Sequence, residues 1–180
     1  MLYTGSVYAA QADALRNLMV AVSGLEGFEL VIHTAQTTQQ LAEQGLEGPT
    51  LQVRPHLPHG ESLVAQQAAD ILLLPLAFDS AIPSVIRSSA PAKAAEYLAS
   101  GRPVLVHAPP GAYVCQLFGG GAGVVVDRPD PAALRAALLR IRDDAVLRRN
   151  LAAVAARVAA GFRVSENRAR LLDALAEGRR

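Results

Sequence analysis

The chain has 180 residues, of which 51% are hydrophobic and 18% charged, and its formal net charge is +1 at pH 7. This length and composition allow one domain with a buried core, while the weak charge and the 4% aromatic content argue against a nucleic-acid-binding protein. No apolar run reaches the roughly 18 residues of a membrane span, and the single cysteine, Cys115, excludes an internal disulfide and indicates a reducing, cytoplasmic compartment.

Short apolar segments alternate with amphipathic segments along the whole chain. The apolar segments predict strands at residues 2–5, 29–33, 51–53, 71–74, 104–107 and 123–126. The amphipathic segments predict helices at residues 11–23, 38–44, 61–68, 91–100, 111–118, 131–141, 145–160 and 165–177. This alternation is typical of a parallel sheet with helices on both faces. We therefore expect an α/β fold, a Rossmann-like doubly wound parallel sheet of about six strands, in one domain over residues 1–180.

Polar residues that follow the strands are the first candidates for a binding site. Ligands of doubly wound folds lie outside the carboxyl ends of the strands, where strand order reverses. Gly5 and Ser6 follow the first strand, and Arg54 and His56 follow the third. We expect these residues at the ligand edge of the sheet.

The connection after the fourth strand, residues 77–89, is long for its place between a strand and a helix. Long loops at the carboxyl edge of a sheet are usually functional. Its polar residues Asp79, Arg87, Ser88 and Ser89 are therefore candidate ligand contacts.

The most specific pattern of the chain surrounds the fourth predicted helix. Ser89 is a candidate N-cap, Pro91 fits the first turn, and Gly101 ends the helix before a buried strand. Lys93 and Glu96 are three residues apart, so they share one face of the helix. Backbone N–H groups, a lysine and then a carboxylate one turn further suit a phosphate followed by a sugar hydroxyl. The pattern predicts half of a nucleoside-diphosphate site.

The four histidines do not form a metal-binding pattern. His33 and His107 end separate strands, while His56 and His59 flank a Leu-Pro pair in a loop, and no carboxylate lies at ligand spacing from any pair. We expect no metal ion. His33 and His107 both lie toward the ligand edge, which makes each a candidate contact for a ligand.

The pattern Ser-x-Pro-x-Lys-x-x-Glu-Tyr-Leu-Ala-x-Gly-x-Pro-Val at residues 89–104 resembles the donor-binding domain of the group 1 (family 4) glycosyltransferases, which have the GT-B fold. The opening Tyr3-Thr4-Gly5-Ser6, the strand at residues 69–75 and the run at residues 121–126 extend the resemblance over nearly the whole chain. It implies a domain that binds a nucleotide-diphosphate sugar for transfer of the glycosyl group to an acceptor. Transfer with retention, without a divalent metal, in polysaccharide or glycoconjugate synthesis is also implied.

The resemblance assigns a role to several residues. It implies that Glu96 accepts hydrogen bonds from the ribose hydroxyls and that Gly5 lets the backbone approach the donor phosphates. In many relatives a second glutamate touches the sugar, and Ser88 stands at that position here. From their positions after the strands, and not from the resemblance, Arg54 and His56 are candidate contacts for the base, and His33 or His107 for the base or a phosphate.

The chain departs from the family pattern after Gly5. Relatives carry a downstream arginine and lysine that neutralise the phosphates, whereas no basic residue follows Gly5 here until Arg16. A diphosphate needs compensating charge in a water-poor cleft. Lys93 and Arg87 are the residues expected to supply it.

The resemblance also bears on partners. No segment resembles the acceptor-binding domain that precedes this one in a complete GT-B enzyme, and no signal peptide opens the chain. We expect a chain trimmed to its second domain, or a natural stand-alone half. It would bind a nucleotide sugar, work with an acceptor-binding N-terminal domain or subunit that contacts the membrane peripherally, and have little or no transfer activity alone. The alternatives are a non-catalytic Rossmann-like nucleotide-binding or partner-binding module, and half of a GT-B sugar-nucleotide epimerase.

Overall fold

The computed structural model of the protein describes residues 1–177, without the side chains of residues 166, 169, 170, 176 and 177. The strands are β1 Leu2–Thr4, β2 Leu30–Thr34, β3 Leu51–Pro55, β4 Leu72–Pro75, β5 Val104–His107 and β6 Val124–Val126. The helices are α1 Ala12–Val22, α2 Thr38–Ala42, α3 His59–Ala68, α4 Pro83–Ser88, α5 Lys93–Ala99, α6 Tyr113–Gly119, α7 Pro131–Asp143, α8 Ala145–Ala160 and α9 Val164–Glu177.

The strands form one parallel sheet in the order β3-β2-β1-β4-β5-β6. Chain order runs outward in both directions from the centre, so the switch point lies between β1 and β4. Ligands of open parallel sheets bind in the crevice that this reversal opens at the carboxyl ends. The predicted doubly wound sheet of six strands is confirmed.

Burial explains the apolar strand sequences. Leu72, Leu73 and Leu74 of β4 are all buried, because helices cover both faces of the sheet there. In β2 burial alternates, with Leu30, Ile32 and Thr34 buried and the residues between them half-buried. One face of the sheet packs against α1 and α7, and the other against α5, α6 and α8.

The predicted loop at residues 77–89 is partly helical, so that prediction was wrong. Pro83 occupies the first turn of α4, where its fixed φ and missing N–H are tolerated. Ser89 is the C-cap of α4 and not the N-cap of the next helix, since its N–H donates to Ile86 O at 3.3 Å. Helix α5 begins two residues after Pro91, at Lys93. This helix has only six residues, and its Pro, Ser and Arg residues are typical of a loop. The sequence pattern therefore did not predict it.

Within residues 1–177, each helix is too short or too polar to cross a lipid bilayer.

Candidate functional site

Gly5 and Lys93 meet at the switch point of the sheet. Gly5 directly follows β1 and has φ of 116°, a conformation that side-chain-bearing residues rarely adopt. A Cβ at this position would lie 3.0 Å from Lys93 Nζ. The missing side chain therefore lets the lysine ammonium approach the backbone at the carboxyl end of β1.

The ammonium of Lys93 is held against β1 by two contacts. Nζ donates to Thr4 O at 2.5 Å and lies 3.9 Å from the centre of the Tyr3 ring. Burial lowers the pKa of Lys93 to about 8, and the nearby Glu96 carboxylate opposes this shift. An ammonium has three donors, so the bond to Thr4 leaves two for an anion bound beside Gly5.

Glu96 lies one turn along α5, and its two carboxylate oxygens face α3. Oε2 accepts a hydrogen bond from Gln66 Nε2 at 2.8 Å, while Oε1 lies 3.7 Å from His59 Nδ1. The Glu96 side chain is 28% exposed, and that of His59 is 75% exposed. The carboxylate is thus supported from the protein side and open to solvent on the other.

Tyr97 fixes α5 against β1. It is fully buried, and its hydroxyl lies 3.3 Å from Thr4 Oγ1. Burial raises the pKa of Tyr97 to about 12, so the phenol keeps its proton. This contact fixes the position of α5, which carries Lys93, relative to β1, which precedes Gly5.

Helix α5 is shorter than the predicted helix at residues 91–100, so its N-terminus contributes less to a phosphate site than the sequence suggested. It has seven residues and no side-chain cap at its N-terminus, where Ala92 precedes it. A helix of two turns offers only a weak dipole for an anion. The positive charge at the switch point comes from Lys93 instead.

The loop after β1 is braced by side chains that the sequence did not single out. Gln36 brackets Val7, since its Oε1 accepts from the Val7 N–H at 2.6 Å and its Nε2 donates to the Val7 carbonyl at 3.0 Å. The Tyr3 hydroxyl donates to Ser6 O at 3.0 Å. The backbone beside Gly5 is therefore held in one conformation.

Asp13, in the first turn of α1, ties a second loop to the same edge. Its Oδ2 accepts from the backbone N–H groups of Phe78 and Asp79, both at 2.8 Å, and its Oδ1 accepts from the Ala14 N–H at 2.6 Å. The start of the loop between β4 and α4 is thereby docked on α1.

The candidates of that loop have separate positions. Asp79 is exposed and lines an open cavity of about 540 Å³ with Tyr8 and Gln36. Arg87 and Ser88 lie exposed in the last turn of α4, and Ser88 Oγ donates to Ser84 O in the same helix at 3.1 Å. Contact of Arg87, Ser88 or Ser89 with a ligand stays a prediction.

His107 is a structural residue, and its expected role as a ligand contact was wrong. It is fully buried, its Nδ1 donates to Val126 O at 2.9 Å, and its Nε2 therefore accepts from Asn17 Nδ2 at 3.2 Å. The ring also packs on Phe78, with 4.6 Å between ring centres. Burial lowers its pKa, which keeps the imidazole neutral.

The candidates on β2 and β3 lie on the half-open face of the sheet. His33 Nδ1 donates to Pro55 O at 2.9 Å, and Arg54 donates to Gln52 Oε1 at 2.7 Å. Both residues line a groove of about 1010 Å³ that opens at the amino edge of the sheet. His56 is exposed. A role of these residues in binding a base stays a prediction.

The amino-edge groove is larger than the cavity at the carboxyl edge, and five arginines line it: Arg54, Arg102, Arg142, Arg148 and Arg149. Four of them already bind a protein acceptor: Arg54 binds Gln52, Arg102 the Gln67 carbonyl, Arg142 Asp143, and Arg148 the Ile141 carbonyl. The carboxyl edge combines a lysine ammonium, a half-buried backbone turn and a supported carboxylate. Within residues 1–177 no cluster of three His, Cys, Asp or Glu side chains could hold a metal ion.

Gln66, His59, Asp13 and Gln36 are site residues that sequence reasoning missed. Gln66 and Glu96 are 30 residues apart, and Asp13 and Phe78 are 65 apart. Nothing in the spacing or composition signals such pairs. They follow from the packing of α3 on α5 and of α1 on the loop after β4.

Comparison with known proteins supports the fold. No protein-family profile matches the chain, and neither does any curated protein. The solved C-terminal domain of a glycosyl transferase group 1 family protein (LpcC) from Francisella tularensis is similar, with 13% identity, a TM-score of 0.62, and 91% of this chain and 85% of that one covered. Sucrose-phosphate synthase from Thermosynechococcus elongatus is 18% identical, with a TM-score of 0.72. The superposition covers 98% of this chain and 45% of that enzyme.

A third solved structure contains ligands. The pneumococcal O-GlcNAc transferase GtfA, in complex with UDP and GlcNAc, is 16% identical with a TM-score of 0.66. The superposition covers 98% of this chain and 35% of GtfA. At this level of identity the likeness concerns the fold. The chain has the fold of the C-terminal domain of GT-B glycosyltransferases, and it spans less than half the length of the two complete enzymes.

Proposed function

We propose that this chain is the donor-binding half of a glycosyltransferase that uses a nucleotide-diphosphate sugar. The observation that carries the proposal is the meeting of Gly5, Lys93 and Glu96 at the switch point of a GT-B-type sheet. The three neighbours in fold described above are glycosyltransferases, and one of them was solved with UDP and GlcNAc. Another neighbour in fold is a putative UDP-N-acetylglucosamine 2-epimerase from Listeria monocytogenes, so the fold alone does not distinguish the two activities.

The diphosphate lies beside Gly5 in this proposal. The turn at Gly5 brings no side chain between the backbone and the ligand, and the Lys93 ammonium is already drawn toward that point. Because this ammonium is largely removed from water, its attraction for an anion is stronger than that of a surface lysine. Arg87 on α4 is a second cation that we assign to the phosphates.

The ribose lies at Glu96. An ionised carboxylate only accepts hydrogen bonds, so it can receive both vicinal hydroxyls of a ribose. Its position one turn along α5 from Lys93 corresponds to the order of phosphate and ribose in a nucleotide. The sugar of the donor then extends toward the loop after β1 and toward Ser88 and Ser89.

Catalysis in this proposal rests on positioning and charge. Lys93 stabilises the negative charge that develops on the leaving diphosphate as the glycosidic bond to it breaks. We assign no metal ion to the site. The acceptor and the remaining catalytic groups belong to an N-terminal domain or subunit, and the reaction proceeds with retention in the cytoplasm.

A second candidate function is a nucleotide-binding module without transfer chemistry. It is favoured by Arg16, the first basic residue after Gly5, because Arg16 donates to Gln44 O at 2.9 Å at the end of α2. The Arg16 side chain lines the cavity of about 540 Å³ beside Asp79, and its bond to Gln44 already uses one nitrogen of the guanidinium. The two candidates differ in whether the chain, joined to an acceptor domain, transfers a sugar.

The first test of donor binding is a thermal-shift panel of UDP, GDP, dTDP and CMP with their sugars. A ligand at about 100 times its Kd stabilises the fold by about 2.7 kcal/mol, which raises the Tm by several degrees. We expect one nucleotide to stabilise the wild type and the control variant Glu61→Gln, which changes an exposed carboxylate of α3. The shift should be clearly smaller in Glu96→Gln and Lys93→Met, because each loses part of the affinity. Equal shifts in all four proteins would contradict the assigned site.

A further inference from the structure

Helix α3 supplies both groups that approach the carboxylate of Glu96, and the two differ in exposure to solvent. Gln66 is 1% exposed and donates from Nε2 to Glu96 Oε2 at 2.8 Å. His59 is 75% exposed and lies 3.7 Å from Oε1. Burial fixes the amide in one place, whereas the imidazole can leave its carboxylate oxygen to a ligand at little cost.

The charge of Glu96 sets the orientation of the Gln66 amide. With Nε2 toward the carboxylate, Nε2 also lies 3.3 Å from Ser62 Oγ. The reversed amide would place Oε1 against Oε2 of Glu96, where two acceptors repel each other. The observed orientation is therefore the one that serves Glu96.

This orientation of the amide lowers the stability of the fold, because it leaves the other amide atom of Gln66 without a partner. Gln66 Oε1 is buried without a hydrogen-bond partner, and it is the only such side-chain atom found within the described residues. A buried unsatisfied acceptor is more costly than an apolar group of the same shape. A glutamine at this position is thus poorly explained by folding alone and well explained by its bond to Glu96.

Holding the carboxylate has a direct consequence for a vicinal diol. A flexible glutamate loses side-chain freedom when it binds, which weakens the complex, whereas a glutamate already held in place has lost it before the ligand arrives. Gln66 occupies one lone pair of Oε2 and leaves Oε1 on the side of the exposed His59. Both oxygens keep an acceptor site for a hydroxyl.

We propose that Gln66 is a positioning residue that fixes the Glu96 carboxylate for recognition of the ribose diol, and so sets the preference of the site for ribonucleotides over 2′-deoxyribonucleotides. This inference rests on the proposed nucleotide-binding function of the same edge. Gln66 touches no part of the ligand itself.

The test compares the Kd values of UDP and 2′-deoxy-UDP, and of GDP and 2′-deoxy-GDP, by isothermal titration calorimetry on the 180-residue chain. The wild type should prefer the ribonucleotide roughly tenfold, as expected for loss of a hydrogen bond to a charged group. In Gln66→Met, which keeps the shape but removes the amide, this ratio should fall to about 1–3, as in Glu96→Gln. The double variant should show no further fall, because both changes remove the same interaction.

A control variant separates positioning from general packing. Gln67→Met alters the exposed neighbour of Gln66 on α3, and it should keep the wild-type ratio. A merely structural role of Gln66 would weaken the binding of ribonucleotide and deoxyribonucleotide equally and leave their ratio unchanged, which would overturn the inference alone. If the wild type prefers the deoxy forms, the placement of the ribose at Glu96 falls with the inference. If it binds none of the four and no nucleotide of the thermal-shift panel stabilises it, the proposed function falls as well.

Discussion

At the scale of one residue, the buried position of Lys93 favours the binding of an anion but lowers the stability of the fold. Its ammonium is held between the Thr4 carbonyl and the Tyr3 ring, and burial lowers its pKa to about 8. In the unfolded chain the pKa has its ordinary value of 10.5. Between these two pH values the unfolded chain binds the proton that the folded chain has released, so the free energy of unfolding rises with pH across this window.

A bound diphosphate needs the charged lysine, so the affinity for nucleotide should change in the opposite sense. We expect the Kd for the stabilising nucleotide to rise as the pH is raised from about 7 to about 9, by up to about tenfold per pH unit above the pKa of Lys93. Over the same range the ligand-free protein should become more stable to urea. Calorimetry and urea denaturation measure the two trends.

The control for this prediction is Lys93→Met, which cannot titrate. Its nucleotide binding should be weak and independent of pH over that range, and its stability should lose the rise above pH 8. A wild-type affinity that stays constant to pH 9 would mean that the Lys93 ammonium does not contact the ligand.

At the scale of the element, the loop between β4 and α4 is held in place by a side chain of another element, α1. The Asp13 carboxylate in α1 accepts two backbone N–H groups of that loop, from Phe78 and Asp79. Charged acceptors make stronger hydrogen bonds than neutral ones. The position of α4, with Arg87 and Ser88 at its end, therefore depends on a residue of another helix.

We expect Asp13→Ala to lower the free energy of unfolding by about 2 kcal/mol, because it leaves two N–H groups without their acceptor. Asp13→Asn keeps one acceptor oxygen and should cost less. Asp79→Ala is the matched control, since only the backbone of Asp79 takes part in the bond, and it should change stability by less than about 0.5 kcal/mol. Urea denaturation measures all three, and equal values for Asp13→Ala and Asp79→Ala would remove this role of Asp13.

The elements that could be predicted from the sequence are those whose signal is local. Apolar runs separated by amphipathic helices predicted all six strands, and the i, i+3 spacing predicted that Lys93 and Glu96 share a face. Helix α4 was missed because its composition is that of a loop, and Ser89 was assigned to the wrong helix for the same reason. The bonds from Gln66 to Glu96 and from Asp13 to Phe78 join distant segments, so only the packed fold reveals them.

At the scale of the whole molecule, the chain spans less than half the length of two of its neighbours in fold. It covers 45% of the sucrose-phosphate synthase and 35% of GtfA. In the proposed function, the groups that bind the acceptor belong to an N-terminal domain or subunit. The complete activity is therefore a proposal about a larger assembly.

We expect the 180-residue chain to bind the nucleotide sugar yet to show no transfer of radiolabelled sugar from UDP-glucose or UDP-GlcNAc to added acceptors above the background of buffer. Addition of an acceptor-binding domain should restore transfer if the glycosyltransferase proposal is right. Binding that persists while no such addition restores transfer would favour the non-catalytic module.

The two edges of the sheet give competing locations for a ligand, and mapping the bound nucleotide on the molecule decides between them. The measurement is a titration of ¹⁵N-labelled protein with UDP and with GDP, followed by amide chemical shifts. We expect the largest changes at the carboxyl edge, on Gly5, Ser6, Lys93 and Glu96. Changes concentrated at the amino-edge groove, on Glu29, Arg102 and Arg148, would contradict it.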